Sequence, residues 1–391
     1  MNYKLSSDTW NEKEIQAIND VIATGRYTMG AKVKEFENEF AKFFGSRNAV
    51  MTNSGSSANL ITLATLKYHP KFKKVKEPNV IVPAVSWSTT FFPVHQHGFK
   101  LKFIDVGRQS FNIEPEDIEQ AIDDNTVAVF AVNLLGNPCR LDRIKEICKE
   151  RGVALLEDNC ESLGANLRGK YCGTYGEMGT FSFFFSHHLQ TMEGGMVLTD
   201  DDDLADYLRS FRAHGWIRDL SENSKLYQKS GDPFEDSFKF VLPGFCVRPL
   251  EMSGAVGLEQ LKKWPDMYEM RRKNADVASK AFDFKSYISI QREYGYSSWF
   301  GFGLFLRNNL KGRRKEVIAE LQKNGVECRP IVAGNFMKNP VIKYMDCIKG
   351  SKYYDNADNL DQNGFFIGND CVDLEKEIIA TSNIIEEIAN K

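Results

Sequence analysis

The stretch from residue 48 to 200 constrains the fold more than any other part of the chain. Short runs rich in β-branched residues, at 49–52, 80–82, 102–105, 127–132 and 153–156, alternate there with helical patterns at 57–66, 115–122 and 141–151. The second helical pattern carries Glu and Asp in its first turn, where they complement the helix dipole. Apolar runs separated by helices predict a mostly parallel sheet covered by helices on both faces, an α/β fold. Two amphipathic segments, 11–24 and 32–44, precede this region and should pack on its flank. After Gly244 the texture changes. A long helical pattern over 249–282 leads into a smaller α/β unit with strand-like 299–306, a helix over 313–324 ended by Gly325, strand-like 327–332 and a terminal helix over 374–389. The expected organisation is a large unit (1–248), a connecting helix (249–282) and a small C-terminal unit (283–391).

The 391 residues are 42% apolar and 26% charged, as in ordinary globular proteins. Fifty Lys and Arg against 53 Asp and Glu leave a net charge of -3, without the basic field that gathers nucleic acid or anionic membrane. A small-molecule partner is expected, with neither nucleic acid nor membrane. No apolar run approaches the roughly 18 residues of a bilayer span, and Met1-Asn2-Tyr3-Lys4 leads into polar residues, so a cytoplasmic location is expected. The eight cysteines lie without a CxxC pair, which suits reduced thiols rather than disulfides or a zinc site. His95 and His97 could share one side of a strand as metal ligands, but no third ligand is near in sequence, and no metal is expected.

Three segments carry chemistry. Asn53-Ser54-Gly55-Ser56-Ser57-Ala58-Asn59 follows a strand and opens a helix, a pattern that brings backbone N–H groups and hydroxyls to an anion. The same residues also serve as ordinary turns and N-caps. Leu155-Leu156-Glu157-Asp158-Asn159-Cys160-Glu161 places acids directly after a buried-looking strand, at the edge where open α/β sheets bind ligands. Asp158 is the candidate there, although an acid in such a place can merely cap a helix. The third segment runs from Gly179 through Phe181-Ser182-Phe183-Phe184-Phe185-Ser186-His187-His188 to Glu193-Gly194-Gly195. Its aromatic stretch, 181–185, reads as a buried strand. Trp87, seen alone, could be plain core.

Together, Ser-Gly-Ser, Glu-Asp with a Gly six residues on, Phe-Ser-Phe and Glu-Gly-Gly resemble the sugar aminotransferase family of pyridoxal-phosphate enzymes, with the aspartate aminotransferase fold, over nearly the whole chain. In that family a lysine lies five residues beyond the Ser of Phe-Ser-Phe and carries the cofactor as a Schiff base. Here that residue is His187. Imidazole cannot hold the cofactor in that way but moves protons near neutral pH. The resemblance therefore implies an enzyme that holds pyridoxal 5′-phosphate and pyridoxamine 5′-phosphate noncovalently, with His187 as catalytic base and acid.

Segments 85–90, 133–138 and 212–216 point the resemblance toward members that remove the C3 hydroxyl of a nucleotide-linked 4-keto-6-deoxy sugar. GDP is the implied nucleotide, L-glutamate the implied amine donor, and the exact sugar, hexose or heptose, stays open. The resemblance also implies that Gly55, Ser56 and Ser182 hold the cofactor phosphate, Trp87 stacks on its ring, Asp158 holds the ring nitrogen and Glu161 lies near its hydroxyl. His214 and Arg218 are implied on the substrate and glutamate side, within a homodimer whose subunits share active sites. Where many relatives have Gly-x-Asn-x-Arg, this chain has Gly244-Phe245-Cys246-Val247-Arg248. Cys246 is a weak donor in place of the Asn that would reach the neighbouring cofactor phosphate. Two other readings stay open: an iron–sulfur dehydratase of the CDP-sugar type, which would need about four cysteine ligands, and a catalytically silent aminotransferase-like sensor.

Overall fold

The computed structural model describes residues 1–283 and 285–391. Its main sheet has eight strands, in the order Asn48–Thr52, Gly195–Thr199, Met178–Ser182, Ala154–Asp158, Thr126–Val132, Asn79–Pro83, Lys100–Ile104 and Cys347–Lys349. Gly195–Thr199 runs antiparallel to both its neighbours, and every other pairing is parallel. The apolar runs reflect burial on two faces. All seven residues of Thr126–Val132 are buried. Val129 and Ala131 face a core that includes Ile118 and Ile144, whereas Ala128 and Phe130 face one that includes Phe91, Phe103 and Phe211. Burying a side chain such as Phe130 is worth about 1.5–3 kcal/mol.

The helix Glu251–Phe282 spans 32 residues, and helices Glu12–Thr24 and Ala31–Phe44 pack along it. Glu251 is buried and accepts the N–H groups of Gly30, Lys32 and Val33 at 2.6, 2.6 and 3.2 Å, satisfying donors at the start of the second helix. Beyond the long helix, Ile288–Ile290, Gly301–Leu306, Gly364–Gly368 and Cys328–Arg329 form an antiparallel sheet. Helices Arg314–Lys323 and Glu375–Ala389 contribute Val317, Leu321, Ile378 and Ile385 to the core on that sheet.

Several local expectations are corrected. Glu157 and Asp158 do not follow their strand but end it. The aromatic run leaves its strand at Ser182: Phe183 is buried, but Phe185 is 60% exposed. His95 and His97 end the helix Ser88–Gln96 instead of sharing a strand, and His97 Nε2 lies 3.1 Å from the Leu60 carbonyl oxygen. Strand-like 327–332 shrinks to Cys328–Arg329. Two segments cross the division expected near residue 283. Cys347–Lys349 pairs with Lys100–Ile104 in the main sheet, and Tyr3, from the first residues, packs in the small unit with its hydroxyl donating to Gly368 O at 2.7 Å.

Candidate active site

The strand ends place the three motifs side by side. Thr52 and Ser182 both pair with Gly195, and Asp158 pairs with Thr180, so the Ser-Gly-Ser loop, the acid and the Phe-Ser-Phe strand meet at one sheet edge. They wall a cavity of about 710 Å³ that contains Gly55, Ser56, Trp87, Asp158, Glu161, Ser182 and His187.

At one end, Ser54 caps the helix Gly55–Tyr68, its Oγ accepting the Ser57 N–H at 3.1 Å. The N–H groups of Gly55 and Ser56, too early in the helix for internal partners, are left for an anion. A Cβ on Gly55 would lie 2.5 Å from Ser182 Cβ and 2.9 Å from Cys160 Sγ, so only glycine lets the loop close on the strand end. This cradle fits a phosphate group.

Asp158 is 5% exposed and firmly oriented. Oδ2 accepts Asn59 Nδ2 at 2.9 Å and Thr90 Oγ1 at 2.8 Å, and Oδ1 accepts the Cys160 N–H at 3.1 Å. Asn59 is itself fixed, accepting Thr180 Oγ1 at 2.6 Å and donating to Thr89 O at 3.1 Å. The preceding acid, Glu157, points to the other face. It takes N–H groups of Gly173, Tyr175 and Gly176, each at 2.7 Å, and anchors a loop. Burial holds its carboxyl above the usual range despite these donors.

Glu161 receives one bond, from the Leu135 N–H at 3.0 Å. Burial and, less strongly, the charge of Asp158 push its carboxyl up to about 7, against the pull of that N–H. Trp87 precedes the helix Ser88–Gln96 and is 58% exposed, so it is not core. Its flat ring stands open to the cavity.

Of the two histidines only His187 faces the cavity. His188 is 1% exposed, with Nε2 3.3 Å from Ser298 O. The His187 ring packs edge-on against Phe300 and Phe184, at 5.3 and 5.9 Å between centroids. Its Nδ1 is buried without a hydrogen-bond partner among the described residues, and the ring lines the cavity. Burial pushes the imidazole down to about 4, assisted by the positive charge of Arg271 and opposed by the Ser182 backbone. At pH 7 His187 is a neutral base. The phosphate cradle, buried carboxylate, open aromatic ring and neutral base together fit a phosphorylated pyridine cofactor.

The small unit supplies wall residues that the motifs do not signal, among them Arg329, Val332 and Phe366. Arg329 ends its two-residue strand, is exposed and has no ion-pair or side-chain hydrogen-bond partner among the described residues, which suits it to a ligand carboxylate. The only sequence hint was an arginine in the strand-like 327–332. Within one chain, neither His214 nor Arg218 reaches the cavity. His214 is tied by its N–H to Phe245 O at 2.7 Å, and Arg218 lies over the Trp216 ring at 5.1 Å. Cys246 is exposed, with an Arg248 guanidinium nitrogen 3.7 Å from its sulfur.

The chain is 51% identical over 391 residues to GDP-4-keto-6-deoxy-D-mannose 3-dehydratase of Yersinia pseudotuberculosis, with 99% of each chain covered. Its structure matches that of E. coli GDP-4-keto-6-deoxy-D-mannose-3-dehydratase with bound hydrated PLP at a TM-score of 0.95 and 48% identity, covering 98% of this chain and 99% of that one. A GDP-4-keto-6-deoxymannose-3-dehydratase with a trapped PLP-glutamate geminal diamine gives the same TM-score and identity, over 98% and 100% of the two chains. The sequence profile of the DegT/DnrJ/EryC1/StrS aminotransferase family matches residues 8–367, a span that takes in the whole cavity and reaches into the last strand of the small sheet. On that extent of agreement, the chain belongs to the DegT/DnrJ/EryC1/StrS aminotransferase family.

Proposed function

We propose that this protein is a pyridoxal- and pyridoxamine-phosphate-dependent 3-dehydratase that removes the C3 hydroxyl of GDP-4-keto-6-deoxy-D-mannose or a close hexose or heptose analogue. L-glutamate is the amine donor and ammonia is released. The observation that carries this reading is His187, a neutral imidazole open to the cavity where the family's aminotransferases have a lysine. When bound, the cofactor supplies an amine that condenses with a ketone and a ring that accepts electrons as the neighbouring carbon loses a proton. Gly55, Ser56 and Ser182 hold its phosphate, Trp87 lies against its ring, and Asp158 keeps the proton on the ring nitrogen. His187 Nε2 takes the proton from the reacting carbon and then returns it to the C3 oxygen as that oxygen leaves. Glu161, poised near pH 7, exchanges a proton with the ring hydroxyl. Arg329 anchors a carboxylate of glutamate.

The active unit in this reading is a homodimer. Trp216 stacks with Phe238 and Phe240 at 5.7 and 6.0 Å, and Phe238 is 75% exposed. A second copy covering this aromatic strip would bury it and receive His214 and Arg218 at its own cavity. Mixing His187→Asn and Arg218→Ala proteins, each nearly inactive alone, then restores part of the activity once labelled chains confirm subunit exchange. No recovery after exchange removes Arg218 from the shared site. Eight unpaired cysteines suit a reducing, cytoplasmic setting.

The deciding experiment incubates the protein with cofactor, glutamate and a panel of GDP-, CDP- and dTDP-linked 4-ketosugars, with products read by mass spectrometry. A 3-deoxy ketosugar and ammonia are expected, with the GDP sugar preferred. An amino sugar as the main product, or no turnover of any sugar, overturns the reading.

A further inference from the structure

A second concavity, of about 750 Å³, lies between the two units and shares no lining residue with the active cavity. Four arginines line it: Arg108 and Arg140 from the large unit, Arg292 and Arg307 from the small one. So many guanidinium groups around one cleft is unexpected in a chain of net charge -3. The two carboxylates in its wall do not balance them. Glu114 accepts Ser110 Oγ at 2.6 Å within its own loop, and Glu293 pairs with Arg272, outside the cleft, while taking the Ser297 N–H at 2.6 Å. Arg140 is paired with Glu116 at 3.0 Å, and among the described residues the Arg292 guanidinium meets only the neutral oxygen of Gln109, at 3.2 Å. Arg108 and Arg307 are exposed, and among the described residues neither guanidinium has an ion-pair or hydrogen-bond partner.

Both walls are fixed in place. A Cβ on Gly107 would lie 2.2 Å from Glu114 Oε1, so the loop closes tightly before presenting Arg108. The Arg292 N–H donates to Gln109 O at 2.8 Å, tying the two walls together. Arg307 directly follows Leu306, which pairs with Ile288 in the small sheet. Tyr294 adds aromatic surface to the cleft, whereas Phe305, 7% exposed, belongs to the core behind its wall.

We propose that this cleft is a second small-molecule site, for a ligand that carries a diphosphate, such as a nucleoside diphosphate. Its volume is that of a small-molecule pocket. Unpaired guanidinium forks bind phosphate oxygens in paired hydrogen bonds, and the Tyr294 ring offers a surface to a base. Because each unit contributes two arginines, the ligand would bridge the units.

The test is calorimetric titration of the cofactor-loaded protein with inorganic diphosphate and with ADP, which lacks the guanine of the proposed substrate. Saturable binding of at least one of them is expected, weaker at high salt. Binding should weaken by at least about thirtyfold in the Arg108→Ala/Arg307→Ala double variant, since two charge-assisted contacts are lost. The same variant should keep its dehydration rate, and both side chains are exposed and unbonded, so folding is not at stake. Arg329→Ala, in the other cavity, should bind both probes as the unaltered protein does. The proposal fails if neither probe binds saturably below about 10 mM, if binding survives the double variant, or if Arg329→Ala abolishes it.

Discussion

Glu161→Gln isolates the electrostatic cost of the site. A rise of the carboxyl from its ordinary 4.5 to about 7 corresponds to about 3 kcal/mol of folding free energy once the group ionises. Glu161 opens to the cavity on one side, whose water screens part of this, leaving about 2–3 kcal/mol. The sign follows from proton binding. Below pH 4.5 the carboxyl is protonated in both states and contributes nothing; as the pH rises toward 7 the unfolded chain ionises first, and folding is progressively penalised. Gln keeps an oxygen for the Leu135 N–H and cannot ionise. The variant, freed of cofactor, should therefore exceed the parent by less than about 1 kcal/mol near pH 5 and by the full amount at pH 8. At roughly 1.2 °C per kcal/mol for a chain of 391 residues, the gain in Tm should be about 2–4 °C. Thermal unfolding followed by calorimetry from pH 5 to 8 measures it. A Tm difference independent of pH, or a less stable variant at pH 8, refutes the placement of Glu161 as a strained acid.

Replacing His187 with Asn should leave cofactor binding intact and slow dehydration by at least about a hundredfold, the scale of a lost proton-transfer group; near-normal turnover in a steady-state assay ends its role. His187→Lys should form a bond to the cofactor that borohydride fixes, found by peptide mass spectrometry at residue 187. Asp158→Asn should slow both the glutamate half-reaction and dehydration in single-turnover measurements, because both need the protonated ring; an effect on one half alone contradicts the shared role. Gly55→Ala should weaken cofactor affinity by about ten- to a hundredfold, the cost of forcing a methyl into an occupied space, as read by absorbance titration.

The large sheet was legible because its strands are buried on both faces and so are written as nearly unbroken apolar runs, Thr126–Val132 most clearly. The cavity was legible in part for the same reason: motif residues at strand ends are close in space once the strands are parallel. What the sequence hides is contact between distant segments. Cys347–Lys349 is a three-residue edge strand, too short to show a period, and only its register with Leu101–Phe103 defines it. Arg329 reaches the cavity because the small sheet turns toward the large one, a relation that no local pattern records. His95 and His97 misled because Pro93 sits within their helix and disguises it. The exposed Phe185 and Phe238 look like core by composition, and their exposure is visible only in three dimensions.

The electrostatics of the cavity explain how residues of similar type take different roles. Asp158 and Glu161 are three positions apart, yet the first receives three hydrogen bonds and the second one. The charge of Asp158 then adds to burial in raising Glu161 to about 7, while burial pushes His187 down to about 4. Near neutral pH the cavity thus presents a fixed anion, an acid that is partly protonated and a neutral base. These are the three states that the roles proposed for Asp158, Glu161 and His187 require: to hold a protonated ring nitrogen, adjust a neighbouring hydroxyl and take a proton from carbon. A lysine at 187 would add a cation to the cavity that Glu161 and Asp158 also line whenever it was not bound to cofactor, favouring the ionised form of Glu161. Histidine preserves the separation, and the pH dependence of Glu161 should therefore move to lower pH in His187→Lys protein without cofactor, an outcome that the same unfolding series from pH 5 to 8 would register.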